Sequence, residues 1–251
     1  MIKVKYFLYS LVFFGSLFIL LGPEVLPDNF QLQDILSRVQ DSQVIIIFNS
    51  GGWGDTPLVK ADDFRPVIEG IQQTLGSWGY NSIVLPYERT KSTFLGNAYG
   101  AQEFFNLFKD ASKDLALKIG AISQAFPDKK IIIAGLSSGG TFVKETYERI
   151  SSDLRSSVYA IAAGTPFWAG EIEPDPHFLP LDNDGQDTLS EGDTGPLLAA
   201  FFQSPWKWCD AKIKGEQMKF SESFRVSGHF YSWNSPEVSP QIIAFLSENI
   251  R

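Results

Sequence analysis

The sequence is poor in the residues that cross-link chains or bind transition metals. Its 251 residues include one cysteine, Cys209, and two histidines, His177 and His229. A single cysteine excludes an intrachain disulfide, and one thiol with two imidazoles provides too few ligands for a convincing zinc site. A metal site made of carboxylates alone stays open, although no motif indicates one. The sequence therefore predicts neither a metal nor an organic cofactor.

Positive charge is also scarce. Lys and Arg total 21 against 29 Asp and Glu, which gives a net charge of −8, and no basic run occurs beyond the N-terminus. A protein that binds a phosphate backbone needs clustered Lys and Arg, so nucleic acid is not an expected partner. Hydrophobic content of 44% and charged content of 20% are typical of a globular protein and argue against extensive disorder.

The first 22 residues form a separate segment. Lys3 and Lys5 precede an uncharged run, YFLYSLVFFGSLFILLGP, over residues 6–23. As a helix these 18 residues would be about 27 Å long, slightly short of the ~30 Å hydrocarbon core of a bilayer. No small-x-small cleavage site follows, so an uncleaved anchor is favoured over a cleaved signal peptide. We expect residues 31–251 to form one exported domain, which is membrane-anchored or, if the segment is cleaved, secreted.

Apolar runs alternate with amphipathic stretches from residue 43 onward. Short continuous apolar runs are typical of strands that are buried on both faces. Such runs predict strands over residues 44–48, 82–87, 131–136, 158–164, 178–182 and 223–228. Helical spacing of apolar residues predicts helices over residues 64–75, 98–126, 141–150 and 236–250. The alternation predicts an α/β fold, with a mostly parallel central sheet, helices on both faces, and ligands at the carboxyl ends of the strands.

The segment KIIIAGLSSGG, residues 130–140, contains the pattern G-x-S-x-G. Gly135, Ser137 and Gly139 occupy its fixed positions, between a predicted strand and a predicted helix. That context is expected of a nucleophile elbow, a sharp turn that exposes a serine hydroxyl at the edge of a sheet. The glycines leave room around the serine, and Gly140 allows the helix to approach the sheet closely. The pattern predicts Ser137 as a nucleophile; the alternative is a glycine-lined packing turn without chemistry.

A serine hydroxyl is a poor nucleophile until a base removes its proton, and the base must be one of the two histidines. His229 directly follows the last predicted strand, at the same edge of the sheet as Ser137. His177 precedes its strand and so belongs at the opposite edge. The sequence therefore predicts His229 as the base.

The loop after the fifth predicted strand supplies candidate carboxylates that would orient the base. Its sequence, LDNDGQDTLSEGD, contains Asp182, Asp184, Asp187, Glu191 and Asp193. Asp187 is favoured because Gly185 lets the loop turn back towards the histidine, with Asp184 second and Asp182 third. An ordinary solvated turn is the alternative for a loop this acidic.

Backbone N–H groups near the serine are needed to stabilise the negative charge that develops during acyl transfer. Ser138, the residue after the nucleophile, would provide one of them. The loop after the first strand, NSGGWGD, would provide the other from Gly52 or Trp53, because its glycines permit close backbone approach. A glycine-rich loop without a ligand is the alternative.

The order of these elements and motifs resembles the α/β-hydrolase superfamily, in particular its serine esterases and lipases. The segments NSGGWG, GLSSGG, the acidic loop and GHFYSW follow one another in the family's order over about residues 40–250. The resemblance implies a central parallel sheet and a Ser–acid–His triad, which maps onto Ser137, Asp187 and His229. The first loop departs from the H-G-G-G motif of many lipases, and the short chain leaves little room for a large lid.

The sequence thus predicts a serine hydrolase that cleaves carboxylic (acyl) esters through an acyl-enzyme. Two alternatives stay open: a catalytically inactive hydrolase-fold protein that binds partners at the membrane, and an acyltransferase that uses the same triad. One apolar stretch is expected to pack against the sheet; the alternative is that it faces a lipid or the acyl group of a lipid-like ester substrate. It contains Leu197, Leu198, Phe201, Phe202, Trp206 and Trp208.

Overall fold

The computed structural model describes residues 30–90, 103, 106–170, 173–192, 203, 206–216 and 228–251. The N-terminal segment and all but the last residue of the sixth predicted strand lie outside these ranges, so both stay predictions. Among the helices of the described ranges, none is long and apolar enough to cross a membrane.

Five parallel strands form the central sheet, in the order β2-β1-β3-β4-β5. The strands are β1 (Val44–Asn49), β2 (Ser82–Tyr87), β3 (Lys130–Leu136), β4 (Val158–Ala163) and β5 (Phe178–Leu181). Each lies within one residue of its predicted bounds at either end. The apolar runs predicted them well because β1 and β4 are buried at every position, as expected for strands covered on both faces.

Helices precede, connect and follow these strands. Their bounds are α1 (Leu32–Arg38), α2 (Arg65–Ser77), α3 (Lys109–Ala125), α4 (Ser138–Arg149), α5 (Thr188–Glu191) and α6 (Ser239–Asn249), with 3₁₀ turns at Leu58–Lys60, Arg155–Ser157 and Phe167–Ala169. The predicted helix over 141–150 begins three residues earlier, directly after Ser137. Of the predicted helix over 98–126, the part from residue 109 to residue 125 is helical as α3, and most of the part before residue 106 lies outside the described residues.

Alternate residues of the strands build two hydrophobic cores, one on each face of the sheet. Ile45 and Ile133 contribute to the core that α1, α3 and α4 cover. Ile46 and Ile132 contribute to the core that α2 and α6 cover. Because successive side chains of a strand point to opposite faces, an unbroken apolar run is what a sheet covered on both sides requires. The predicted parallel sheet with helices on both faces is therefore confirmed.

The apolar stretch that begins at Leu197 is described only from Trp206 onward, apart from residue 203. Trp206 is 78% exposed, and Ala211 is the buried residue of the helical turns over 206–213. The expectation that this stretch packs against the sheet is therefore wrong for Trp206, because the described turns bury little more than one small side chain.

Candidate active site

Ser137 lies at the sharp turn between β3 and α4, with φ 58° and ψ −119°. A positive φ is uncommon for a residue with a side chain, and the turn keeps it because its backbone is fixed on both sides. The N–H of Ser137 donates to the carbonyl of Ala163 over 2.8 Å, and its carbonyl accepts from Thr141 at 3.0 Å in the first turn of α4.

The glycines on either side of Ser137 allow the turn to be this tight. A Cβ at Gly135 would lie 2.4 Å from the carbonyl oxygen of Gly139, and a Cβ at Gly139 would lie 2.6 Å from the carbonyl oxygens of Asn49 and Ser50. No side chain fits at such distances. The pattern G-x-S-x-G therefore reflects close backbone contacts between the turn, its own helix and the end of β1.

His229 and Asp187, which are 42 residues apart in sequence, are in direct contact. Nδ1 of His229 lies 2.7 Å from Oδ2 of Asp187, whose side chain is completely buried. An ionised carboxylate can only accept, so Nδ1 carries the proton and Nε2 is left as the basic nitrogen. The other carboxylate oxygen accepts the N–H of Leu189 at 2.9 Å, where Asp187 caps the short helix α5.

The loop that carries Asp187 turns back on itself, as Gly185 suggested. Asn183, Asp184 and Gly185 all have positive φ, which reverses the chain within three residues. A Cβ at Gly228 would lie 1.8 Å from the carbonyl oxygen of Gln186, so only a glycine lets the residue before His229 approach this loop. The structure thereby brings His229 to Asp187, whereas Asp182 and Asp184 remain at the exposed surface.

The charge on Asp187 is maintained by its hydrogen bonds. Burial alone would raise the pKa of this carboxyl, but the hydrogen bond and charge of His229, followed by hydrogen bonds from Tyr231 and Leu189, outweigh burial and lower its pKa. Tyr231 donates its hydroxyl to the same oxygen, Oδ2, over 2.7 Å. Burial first, and the negative charge of Asp187 second, raise the pKa of Tyr231, so it keeps the proton that it donates.

Ser137 and His229 both lie at the carboxyl end of β4. Ser137 is bonded to Ala163, and the imidazole of His229 lies over the next residue, where a Cβ on Gly164 would be 2.5 Å from the ring carbon Cε1. Within the described residues the hydroxyl of Ser137 makes no direct hydrogen bond to His229; such contacts are often long without substrate. His177 lies at the opposite edge, before β5, with its ring 5.1 Å from that of Tyr159.

The loop over residues 50–54 lies on the other side of Ser137. A Cβ at Gly51 would be 3.8 Å from Cβ of Ser137, so this loop passes directly beside the serine. Gly52 has a φ of 58°, and Trp53 is 37% exposed. The Ser138 hydroxyl donates to the Gly52 carbonyl at 2.5 Å, which ties the two predicted oxyanion segments together.

Two residues of this region were missed from the sequence: Tyr231, which binds Asp187, and Arg89, whose buried guanidinium lies behind the loop over residues 50–54. Arg89 follows the carboxyl end of β2, which is the edge where ligands gather in such sheets. Its position at this edge was the sequence signal from which Arg89 could have been predicted. As for metals, the described residues contain no group of three or more His, Cys, Asp or Glu side chains that could hold an ion.

No protein-family model matches the sequence, and no match is found among curated proteins. Among solved structures, a Trichoderma reesei cutinase in complex with a C11Y4 phosphonate inhibitor is 16% identical, with a TM-score of 0.47, over 76% of this chain and 86% of that chain. A cutinase-like protein from Cryptococcus sp. is 18% identical, with a TM-score of 0.35, over 49% of this chain and 54% of that chain. At these values the likeness carries no inference about activity.

The arrangement within this chain itself is that of the α/β-hydrolase fold. Its sheet is parallel, its central strand β3 ends in the strained serine turn, and the acidic loop and His229 follow in the family's order. The fold that the sequence resemblance implied is therefore present.

Proposed function

We propose that the protein is a serine hydrolase that cleaves carboxylic esters through an acyl-enzyme on Ser137. The observation that carries the proposal is the combination of a strained serine at a strand-to-helix turn with the contact between His229 and the buried Asp187 at the same edge of the sheet. Neither feature is needed to fold a parallel sheet, and together they match the requirements of nucleophilic catalysis.

In the first half of the reaction, Nε2 of His229 takes the proton from the Ser137 hydroxyl while the serine oxygen attacks the ester carbonyl. The imidazolium that forms is stabilised by Asp187, which stays ionised. Negative charge on the former carbonyl oxygen is met by the N–H of Ser138 and by N–H groups of the loop with Gly52 and Trp53. The C–O bond to the alcohol then breaks, His229 gives the leaving alkoxide its proton, and the acyl group remains on Ser137.

In the second half, a water molecule replaces the alcohol. His229 takes a proton from the water as it attacks the acyl carbon, and then returns a proton to Ser137 as the acid leaves. The same residues would serve an acyltransferase if an alcohol or amine reached the acyl-enzyme instead of water.

Exposed aromatic side chains near this edge favour an apolar substrate. Trp53 belongs to the loop beside Ser137, Phe230 directly follows His229 and is 68% exposed, and Phe167, which follows β4, is 47% exposed. A lipid-like or otherwise apolar ester would cover such surfaces. With the apolar N-terminal segment predicted from the sequence, we propose an exported enzyme that acts close to a membrane.

The test is the hydrolysis of a short p-nitrophenyl ester by the full chain and by Ser137→Ala. We expect kcat to fall by about 10⁴-fold or more in this variant, because the nucleophile is lost while the fold remains. Ser77→Ala, at the exposed end of α2, is the matched control and should retain full activity. Hydrolysis that persists in Ser137→Ala would refute the proposed mechanism.

A fluorophosphonate probe separates the enzyme from a binding protein with the same fold, because only an activated serine reacts rapidly with it. Rapid labelling of the wild type, absent in Ser137→Ala, supports the hydrolase. If folded wild-type protein is not labelled, the binding protein is favoured. Adding a primary alcohol and measuring the new ester distinguishes acyl transfer from hydrolysis.

A further inference from the structure

In the loop over residues 50–54, the backbone carbonyl groups form hydrogen bonds within the described part of the chain, whereas three consecutive N–H groups do not. Each of its five carbonyl oxygens accepts a hydrogen bond from the protein. By contrast, the N–H groups of Gly51, Gly52 and Trp53 donate to no acceptor within the described residues. Three consecutive unpaired N–H groups beside a nucleophilic serine form a site for an anion.

One buried side chain, that of Arg89, donates to two of these five carbonyl groups and also holds the neighbouring Ser138. Nη2 of Arg89 lies 2.6 Å from the carbonyl oxygen of Ser50 and 3.5 Å from that of Gly52. Nη1 lies 3.2 Å from the carbonyl oxygen of Ser138, and Nη2 lies 3.2 Å from the Ser138 hydroxyl. The backbone N–H of Arg89 donates to the carbonyl of Gly54 over 2.9 Å.

Gly54 leaves the space that the side chain of Arg89 occupies. Its φ is +78°, and a Cβ there would lie 2.3 Å from Nε of Arg89. A residue with a side chain would therefore push the guanidinium away from the loop. The sequence NSGGWG and the arginine that follows β2 thus form a single packed unit, although Gly54 and Arg89 are 35 positions apart in the sequence.

The direction of the carbonyl groups determines the direction of the N–H groups. In a planar trans peptide, the C=O of one residue and the N–H of the next point to opposite sides. When Arg89 attracts the carbonyl oxygens of Ser50, Gly52 and Ser138, the N–H groups of Gly51, Trp53 and Gly139 are turned away from the guanidinium. Gly51 lies against Ser137, so its side of the loop faces the serine.

Burying the guanidinium of Arg89 removes it from water, which costs free energy. The side chain is 1% exposed, forms no ion pair with a carboxylate in the described residues, and lies against the ring of Phe108 at 4.6 Å. Burial lowers the pKa of Arg89 to about 10, so the group remains charged at neutral pH. Burying a cation that no described carboxylate contacts is costly, and an apolar residue would fill the space without that cost.

We propose that Arg89 is a positioning residue of the reaction: it holds the carbonyl groups of Ser50 and Gly52 so that the opposite N–H groups of Gly51 and Trp53 meet the acyl oxygen of an ester at Ser137, and its bonds to Ser138 fix the loop to the start of α4. This inference rests on the proposed function. The planar fork of arginine suits the task because separate nitrogens reach the carbonyl groups of two chain segments simultaneously. A lysine would supply charge from one nitrogen only.

The experiment compares Arg89→Lys and Arg89→Met with Arg149→Lys and Arg149→Met in the full chain. Arg149 lies at the far end of α4, where it contacts Glu145, and serves as the matched control. We expect ¹⁵N relaxation to show greater motion of the amides of residues 51–53 in both Arg89 variants and in neither control. We also expect kcat to fall about 10- to 100-fold in Arg89→Lys and about 100- to 1,000-fold in Arg89→Met, with KM changed less than about 3-fold.

The relaxation measurements and the kinetic measurements test different parts of the proposal. If the amides of residues 51–53 stay as rigid in both Arg89 variants as in wild type, Arg89 does not hold the loop. If they loosen but kcat falls no further than in the Arg149 variants, the loop's order does not serve the reaction. A wild type that neither hydrolyses esters nor reacts with a fluorophosphonate refutes the proposed function instead, and the relaxation data still decide whether Arg89 holds the loop. If Arg89→Met does not fold, Arg89→Lys decides.

Discussion

The two sides of Ser137 are each organised around one buried charge, and the charges have opposite sign. On the acid side, the carboxylate of Asp187 accepts hydrogen bonds from His229, Tyr231 and Leu189. On the oxyanion side, the guanidinium of Arg89 donates to backbone carbonyl groups. In the proposed mechanism, the acid side contains a group that exchanges protons, whereas the oxyanion side only fixes directions. Substitutions on the acid side should therefore change the chemistry, and those on the oxyanion side should change the geometry.

The largest difference should come from Asp187→Asn. An amide cannot offset the charge on His229, and it no longer selects the tautomer with the proton on Nδ1, so we expect kcat to fall about 10³- to 10⁴-fold. Ester hydrolysis at pH 7 measures the effect. Asp184→Asn is the matched control, because Asp184 is exposed and contacts Gln241 instead. A similar fall in the Asp184 variant would mean that the acid has been misassigned.

Gly228→Ala should separate His229 from Asp187 while leaving both side chains chemically unchanged. The new Cβ would lie 1.8 Å from the carbonyl oxygen of Gln186, so the segment with His229 must shift away from Asp187. We expect kcat to fall about 100-fold, since a displacement of about 1 Å can cost that much. Gly215→Ala has similar backbone strain, with a φ of +78° against +75° at Gly228, but no atom lies within 4 Å of the new Cβ. Equal losses in both variants would contradict a role for the close contact.

Ser138→Ala should weaken the oxyanion side more gently. The variant keeps the backbone N–H but loses the hydroxyl that donates to Gly52, while Arg89 still holds the loop. We expect kcat to fall about 3- to 10-fold, because the N–H groups are misdirected rather than removed. In combination with Arg89→Lys, the two losses should not multiply, since both residues act on the same peptide. Full multiplication would show that they act independently.

Tyr231→Phe should have the smallest effect, seen in stability rather than rate. Removing one donor to a buried carboxylate should lower the free energy of unfolding at pH 7 by roughly 1–2 kcal/mol. The native pKa of Asp187 lies below its unfolded value of about 3.9, so the stability from its ionisation is present above that value and is lost as pH falls through the native pKa. The difference in Tm between wild type and variant should therefore narrow on acidification. A Tm difference that does not depend on pH would contradict the claim that Tyr231 stabilises the ionised form of Asp187.

The fold was predicted closely because its signals are local. Strand β2 has the predicted bounds, and β1 is one residue longer. In β1 the apolar run records burial on both faces directly, whereas β2 is only partly buried at most of its positions. The start of α4 was placed three residues late. Glycines lower helix propensity, so Gly139 and Gly140 argued against a helix. They are nevertheless helical, and glycine is needed at both positions because a larger residue would clash with the neighbouring backbone.

The site was harder to predict where it depends on contacts between distant segments. Chain order and the edges of the sheet predicted that His229, and not His177, lies at the edge of Ser137, and Gly185 was the reason to favour Asp187, which the fold brings into contact with His229. Tyr231 and Arg89 were missed because neither belongs to a motif, and each is defined by a contact that only the folded chain creates. Periodicity describes one segment at a time, so it cannot show that Arg89 faces the loop of Gly52.

The backbone at Ser137 also limits which nucleophile this turn can carry. At a φ of 58° a side chain branched at Cβ meets severe crowding, so a threonine would be strained here even though its hydroxyl could form the same bond. Serine and cysteine, whose Cβ carries a single heavy atom, remain possible. In the proposed mechanism, the acyl group attached at this turn is therefore held on a primary carbon, the least hindered type of ester or thioester.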